Sequence, residues 1–265
     1  MNWKYLCSSV RGTSHESMDL PKQDNYRIIE LLVNDKNYLI SAVADGAGSA
    51  KYSDLSSDFI CKLFLKKTKQ WLKSNNSLED LTREIIVDWF TRFRSVLERA
   101  VKIYRLNSTR DFATTLLFSV LSEDCNIFVQ IGDGIIAINN DSALECVFLP
   151  QNGEFINTTH FATEAIATSI FMFKTTKEPV KYLIMHTDGI EHIAFNFAEQ
   201  KPFLPFFTPF LKALNNSTNT GHIETLSKQL SIFLQSDRVN KRTDDDKTLL
   251  VILTCGELKG AYQNE

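Results

Sequence analysis

The stretch Leu39-Ile40-Ser41-Ala42-Val43-Ala44 is almost wholly apolar and stops on Asp45-Gly46. Short runs rich in Val, Ile and Phe that end on Asp-Gly read as strands closed by tight turns. The arrangement returns twice. Ile127-Phe128-Val129-Gln130-Ile131-Gly132 leads into Asp133-Gly134, and Tyr182-Leu183-Ile184-Met185-His186-Thr187 leads into Asp188-Gly189. Toward the far end the order inverts, with Asp244-Asp245-Asp246 standing just before the strand-like run Thr248 to Leu253.

Working outward, further apolar runs at Trp3 to Ser8, Tyr26 to Val33, Ala113 to Leu121, Ile135 to Ile138 and Ala167 to Phe173 predict strands. The turn residues between them suit antiparallel hairpins. Apolar residues recurring every three or four positions predict helices over Ser53 to Lys73 and Leu78 to Tyr104. A second helical pair is expected near Pro205 to Asn215 and Ile223 to Leu234. Runs of strands alternating with helix pairs give an α+β class, two antiparallel β-sheets flanked by pairs of helices. Asn139 to Pro179 patterns weakly and reads as an insertion over the core, a flap within a single domain of 265 residues.

Composition narrows the function classes. A net charge of −3 gives no case for nucleic acid or an anionic membrane as main partner, because both demand concentrated Lys and Arg. Five scattered cysteines with no C-x-x-C pair argue against a disulfide framework and for a reducing compartment. No apolar run approaches the ~20 residues of a membrane helix, so a cytoplasmic protein is expected.

An aspartate at a strand end is held by the sheet while its carboxylate projects past the rim. The glycine after it lets the backbone turn and lets its carbonyl approach a ligand. Several such carboxylates converging repel one another unless a cation sits between them, and hard divalent ions with oxygen ligands meet that need. Taken singly, each Asp-Gly is most simply a hairpin turn, and the triple aspartate a solvated strand start. Their joint occurrence and order carry the argument, together with Lys22-Gln23-Asp24-Asn25-Tyr26 upstream, after Arg11-Gly12-Thr13-Ser14-His15.

The ordered set QDNY, VADGAGS (Val43 to Ser49), FATTLLFSV (Phe112 to Val120), IGDG (Ile131 to Gly134), HTDGIE (His186 to Glu191) and DDDKTLLVI (Asp244 to Ile252) resembles the protein phosphatase 2C (PPM) family, in its compact bacterial branch. The resemblance implies two sheets packed face to face with helices outside. It also implies Mn2+ or Mg2+, two ions with a third possible, at one end of the sandwich. By position, Asp45 would bridge both ions and Gly46 would offer its carbonyl, while Asp188 and Asp245 would complete the first ion's ligands. Asp24 would orient a water, and Asp133 with Asp188 would match a third, weaker site. The activity implied is hydrolysis of phosphoserine and phosphothreonine by a metal-activated water, on phosphorylated protein substrates that a cognate Ser/Thr kinase supplies.

Two departures stand out. Gln23 replaces the family's usual Glu, so the second ion loses a carboxylate ligand, and the usual phosphate-binding Arg falls on Asp19. Arg11 or His15 would then have to meet the substrate phosphate. These departures keep two rivals open, a catalytically weakened binding or regulatory protein and a metal-dependent esterase of small phosphate esters.

Overall fold

The computed structural model describes residues 1–140, 143–151 and 159–256. Its strands, in chain order, are β1 (Asn2–Val10), β2 (Asn25–Val33), β3 (Lys36–Ala44), β4 (Leu116–Leu121), β5 (Asn126–Ile131), β6 (Ile135–Asn140) and β7 (Ala143–Cys146). They continue as β8 (Met172–Thr176), β9 (Tyr182–His186), β10 (Phe195–Asn196), β11 (Lys201–Pro202), β12 (Gly221–His222) and β13 (Lys247–Cys255). The helices are α1 (Thr13–Ser17), α2 (Ser53–Lys73), α3 (Arg83–Tyr104), α4 (Ala167–Ile170), α5 (Glu191–Ala194), α6 (Leu204–Asn216), α7 (Glu224–Leu234) and α8 (Asp237–Asn240).

One sheet runs β12-β1-β13-β9-β6-β7 and a second runs β2-β3-β4-β5-β8. All their pairings are antiparallel except β12 on β1. Side-chain alternation sorts the strands into layers. On β3, Leu39 and Val43 enter the core between the sheets, whereas Ile40, Ala42 and Ala44 face α2 and α3. On β13, Leu250 and Ile252 face the other sheet, whereas Leu249, Val251 and Leu253 pack beneath α6 and α7. Both faces of each central strand are therefore covered, which explains runs that are continuously apolar rather than alternating. The result is the expected α+β sandwich flanked by helix pairs.

Two expectations need correction. Ala167 to Phe173 does not form a strand: Ala167–Ile170 coils into α4, and pairing with β5 begins only at Met172. A short apolar run is ambiguous between the two states, and here Phe171 is drawn into the helix-side core, its ring 5.0 Å from that of Phe90. The second long helix starts at Arg83 rather than Leu78, because Leu78 and Leu81 are buried in a turn closed by the Leu81 N–H to Leu78 carbonyl bond. The segment 139–179 supplies an edge strand to each sheet, β7 on β6 and β8 on β5. Within it, residues 141–142 and 152–158 lie outside the described residues.

Candidate metal centre

Antiparallel pairing brings one end of several strands together. Asp45 directly follows the last residue of β3, while one residue separates Asp188 from the end of β9 and Asp133 from the end of β5. Asp24 precedes β2, whose Asn25 pairs with Ala44, and Asp246 precedes β13. Aspartates scattered over more than two hundred positions thus meet at one rim. Carboxylate oxygens of Asp45, Asp133 and Asp188 all lie within 4.8 Å of one another.

Each is fixed by its backbone. The Asp45 N–H donates to the Thr115 hydroxyl at 3.0 Å, and its carbonyl accepts the Thr115 N–H and the Thr114 hydroxyl, both at 2.8 Å. Gly46 bridges to Thr114, and a Cβ on it would come within 2.8 Å of the Gln23 carbonyl. At Gly189 the constraint is harsher, since a Cβ would fall 1.8 Å from the Asp246 carbonyl. Only glycine permits that approach.

Asp24 is buried at 1% exposure, and its Oδ2 accepts the hydroxyls of Thr187 at 2.8 Å and Thr248 at 2.6 Å. Asp246 is the hub of the loop around it. Its Oδ1 accepts the Gly12 N–H at 2.7 Å and lies 3.0 Å from Nδ1 of His15; its Oδ2 accepts the Gln23 N–H at 2.5 Å. Asp245 stands outside this hub and accepts the Asp246 N–H at 2.7 Å. The buried Lys247 steadies that turn, its Nζ reaching the Asp245 carbonyl and Asn240 Oδ1 at 3.1 Å each.

The electrostatics are those of an overloaded anionic pocket. Burial, then repulsion from Asp188 and Asp24, pushes Asp45 well above the usual carboxylate range. Burial raises Asp24 to about 7, with Asp246 adding to the rise and the Thr248 and Thr187 hydroxyls opposing it. Burial and then Asp188 lift Asp133 to about 6. Burial also lifts Glu191 to about 7, with Asp188 and Asp133 behind it. Asp245 is raised for the same two leading reasons, burial and Asp188. The nearby ammoniums make no direct ion pair with these carboxylates among the described residues. Lys22 donates to Ser9 Oγ and the Asp24 carbonyl, and Lys247 donates to neutral oxygens.

These residues fit divalent cations. The donors are hard oxygens crowded beyond what carboxylates tolerate unaided. Gln23 adds a buried Oε1 with no hydrogen-bond partner, while its Nε2 is 3.4 Å from the Ala50 carbonyl. Asp45, Asp133 and Asp188 come together as the sequence expects, with Asp24 and Asp245 electrostatically coupled to them. His15 does not: it is buried at 4% exposure and held against Asp246, which makes it a tie for its loop rather than a surface for phosphate. Arg11 turns back on the same loop, donating to the His15 carbonyl at 2.9 Å. Sequence reasoning missed Asp246, Glu191 and the pair Thr187 and Thr248. Polar side chains inserted at the ends of otherwise apolar strands were the available signal.

Comparison with known proteins gives the same result. The Protein phosphatase 2C family model matches residues 11–235. The chain is 34% identical to Serine/threonine-protein phosphatase 3 of Escherichia coli (strain K12) over 255 residues, covering 96% of this chain and 99% of that one. In fold it is similar to the serine/threonine phosphatase Stp1 of Staphylococcus aureus, with a TM-score of 0.63, 14% identity and 95% of each chain covered. The S. agalactiae serine/threonine phosphatase superposes with a TM-score of 0.58 at 15% identity, over 96% of this chain and all of that one. With the family model spanning most of the sequence and a relative at this identity over nearly its whole length, the chain belongs to the protein phosphatase 2C family.

Proposed function

We propose that this serine/threonine protein phosphatase hydrolyses phosphoserine and phosphothreonine with a water activated by divalent ions, Mn2+ or Mg2+. The observation that carries the reading is the trio Asp45, Asp133 and Asp188, whose carboxylate oxygens gather within 4.8 Å. In this reading Asp45, the Gly46 carbonyl, Asp188 and Asp245 would hold the ions, and Asp133 with Asp188 would hold a third. When bound, such ions lower the pKa of water toward neutrality and offset charge on the phosphoryl oxygens.

The protein's own groups do the rest. Asp24 has both hydroxyl donors on Oδ2, which leaves Oδ1 to orient water and take its proton. Thr187 and Thr248 fix that carboxylate, and Asp246 fixes the backbone carrying it. Arg11 is the remaining candidate for the substrate phosphate, through rotation off its loop. The chain is read as one domain with a flap at about 139–179, from which Thr159 hydrogen-bonds the Asp133 carboxyl and opposes the rise in its pKa. A cognate kinase and a cytoplasmic setting complete the proposal; no helix among the described residues is long and apolar enough to cross a membrane.

The deciding experiment is release of phosphate from a phosphothreonine peptide with Mn2+, with Mg2+ and with EDTA. Full turnover in EDTA overturns the metal reading. A second reading, a weakened enzyme that chiefly binds, is favoured by one observation: Gln23 presents a neutral amide where the family usually has a carboxylate. Absence of turnover at saturating Mn2+, with phosphopeptide binding retained, would select it.

A further inference from the structure

Away from the carboxylates, α6 and α7 splay over the outer face of the larger sheet and leave a groove of about 970 Å³. Its floor is aromatic. Phe206, Phe210 and Phe233 form a ring triangle with centroids 5.7, 5.8 and 6.0 Å apart, and Phe197 at the lip is 52% exposed. Such a cluster left open to water is a binding surface in need of an occupant.

The groove is charged in one sense only. Among the described residues its charged lining is Arg238 and Arg242, with no carboxylate. Neither arginine joins the salt bridges made by Arg11, Arg27 and Arg94. An aromatic floor under two guanidiniums that have no ion-pair partner among the described residues suits an acidic ligand with an aromatic or large aliphatic anchor.

Chain continuity says where that ligand comes from. His192 lines the groove four residues after Asp188, and Arg242 lines it three residues before Asp245. At ~3.6 Å per residue, the two rims lie within about 14 Å and about 11 Å of those aspartates. An extended peptide with its phosphorylated residue at the carboxylate cluster needs only about three to six residues to reach the groove. We propose that the groove seats the flanking segment of the phosphoprotein substrate, an acidic stretch bearing a Phe-like anchor three to six residues from the phosphorylated side chain. This rests on the phosphatase reading and adds what selects the substrate.

The test uses phosphothreonine peptides with Phe-Glu-Glu placed at each offset from three to six on either side, against matched Ala-Gln-Gln peptides. Wild type is expected to favour the best Phe-Glu-Glu peptide by about tenfold or more in kcat/KM. In R238E/R242E that preference should collapse toward unity and shift to a Phe-Lys-Lys series; Phe197→Ser should lower it severalfold. Equal kcat/KM across offsets in wild type, or a preference that survives R238E/R242E, overturns the proposal. Fluorescence polarisation with the unphosphorylated peptides in EDTA separates the two ideas. If no phosphopeptide is turned over yet the arginines still govern peptide binding, the phosphatase reading fails and the substrate assignment falls with it. Arginine-dependent binding of a long-chain carboxylate without any peptide binding also overturns the proposal.

Discussion

The carboxylate of Asp246 lies 3.0 Å from Nδ1 of His15, and both side chains are closed to solvent. The contact joins the first helical turn of the chain to the start of its last strand. Through the same carboxylate, the N–H groups of Gly12, Gln23 and Asp24 are satisfied. Asp246 therefore sets the height at which Asp24 enters the site without needing to touch an ion.

Replacing that hub exposes its worth. Asp246→Ala leaves three buried N–H groups without their acceptor and strips the buried His15 imidazole of its neighbouring carboxylate, which should cost about 3 kcal/mol or more. Asp246→Asn keeps one acceptor oxygen and should cost less. Urea denaturation checks the order; an Asp246→Ala protein within 1 kcal/mol of wild type would show that water replaces the hub.

Activity should depend on the converging carboxylates. Asp45→Asn and Asp188→Asn keep shape but remove charge, and each is expected to lower phosphopeptide turnover on the order of a hundredfold or more. Mn2+ at ~100 times its dissociation constant should stabilise wild type by about 2.7 kcal/mol. Asp188→Asn should lose most of that gain in a thermal melt. Equal shifts in both proteins would place metal binding elsewhere.

The crowding of Asp133 gives a pH dependence with a defined sign. Burial and Asp188 raise its pKa from 3.8 to about 6. A carboxyl raised on folding contributes its full stability below the unfolded value, and the contribution is lost as pH rises through the folded one. In EDTA, Asp133→Asn should therefore be more stable than wild type near pH 7, on the order of 1 kcal/mol after solvent screening. The difference should close as pH falls toward 4. A gap that widens on acidification refutes the burial account.

Much of this was legible in the sequence, because strand ends carrying Asp-Gly are local signals. The run Tyr182 to His186 is β9 to the residue, and Asp45 sits where the turn chemistry puts it. Asp246 was not legible, since three consecutive aspartates look equivalent until the strand's facing is known. The parity of β13 separates them. Leu250 and Ile252 point between the sheets, so Thr248 and Asp246 continue that inward face while Asp245 falls outside it. The same rule carries Tyr26 and Ile28 back to Asp24. The strand expected over Ala167 to Phe173 failed for the opposite reason: its run is short, and the helix-side core claimed Phe171.

Gln23 is where the enzyme and the weakened-enzyme readings part. It is buried at 4% exposure, its Nε2 lies 3.4 Å from the Ala50 carbonyl, and its Oε1 has no partner. A neutral amide oxygen attracts a divalent ion less than a carboxylate does. Gln23→Glu should therefore destabilise the protein in EDTA, where a further buried charge joins Asp24 and Asp45. With Mn2+ the same substitution should tighten apparent affinity by ~1 kcal/mol or more, so that added metal reverses the stability ranking of the two proteins. The rival is that a carboxylate on the preceding loop already serves the ion. Asp19 argues against it, being fully exposed and 3.7 Å from Arg11 at the loop's outer side. Metal titrations of melting temperature and of turnover for wild type, Gln23→Glu and Asp19→Asn separate the two. An unchanged metal requirement in Gln23→Glu, with a weaker one in Asp19→Asn, would move the second ion's ligand from Gln23 to Asp19.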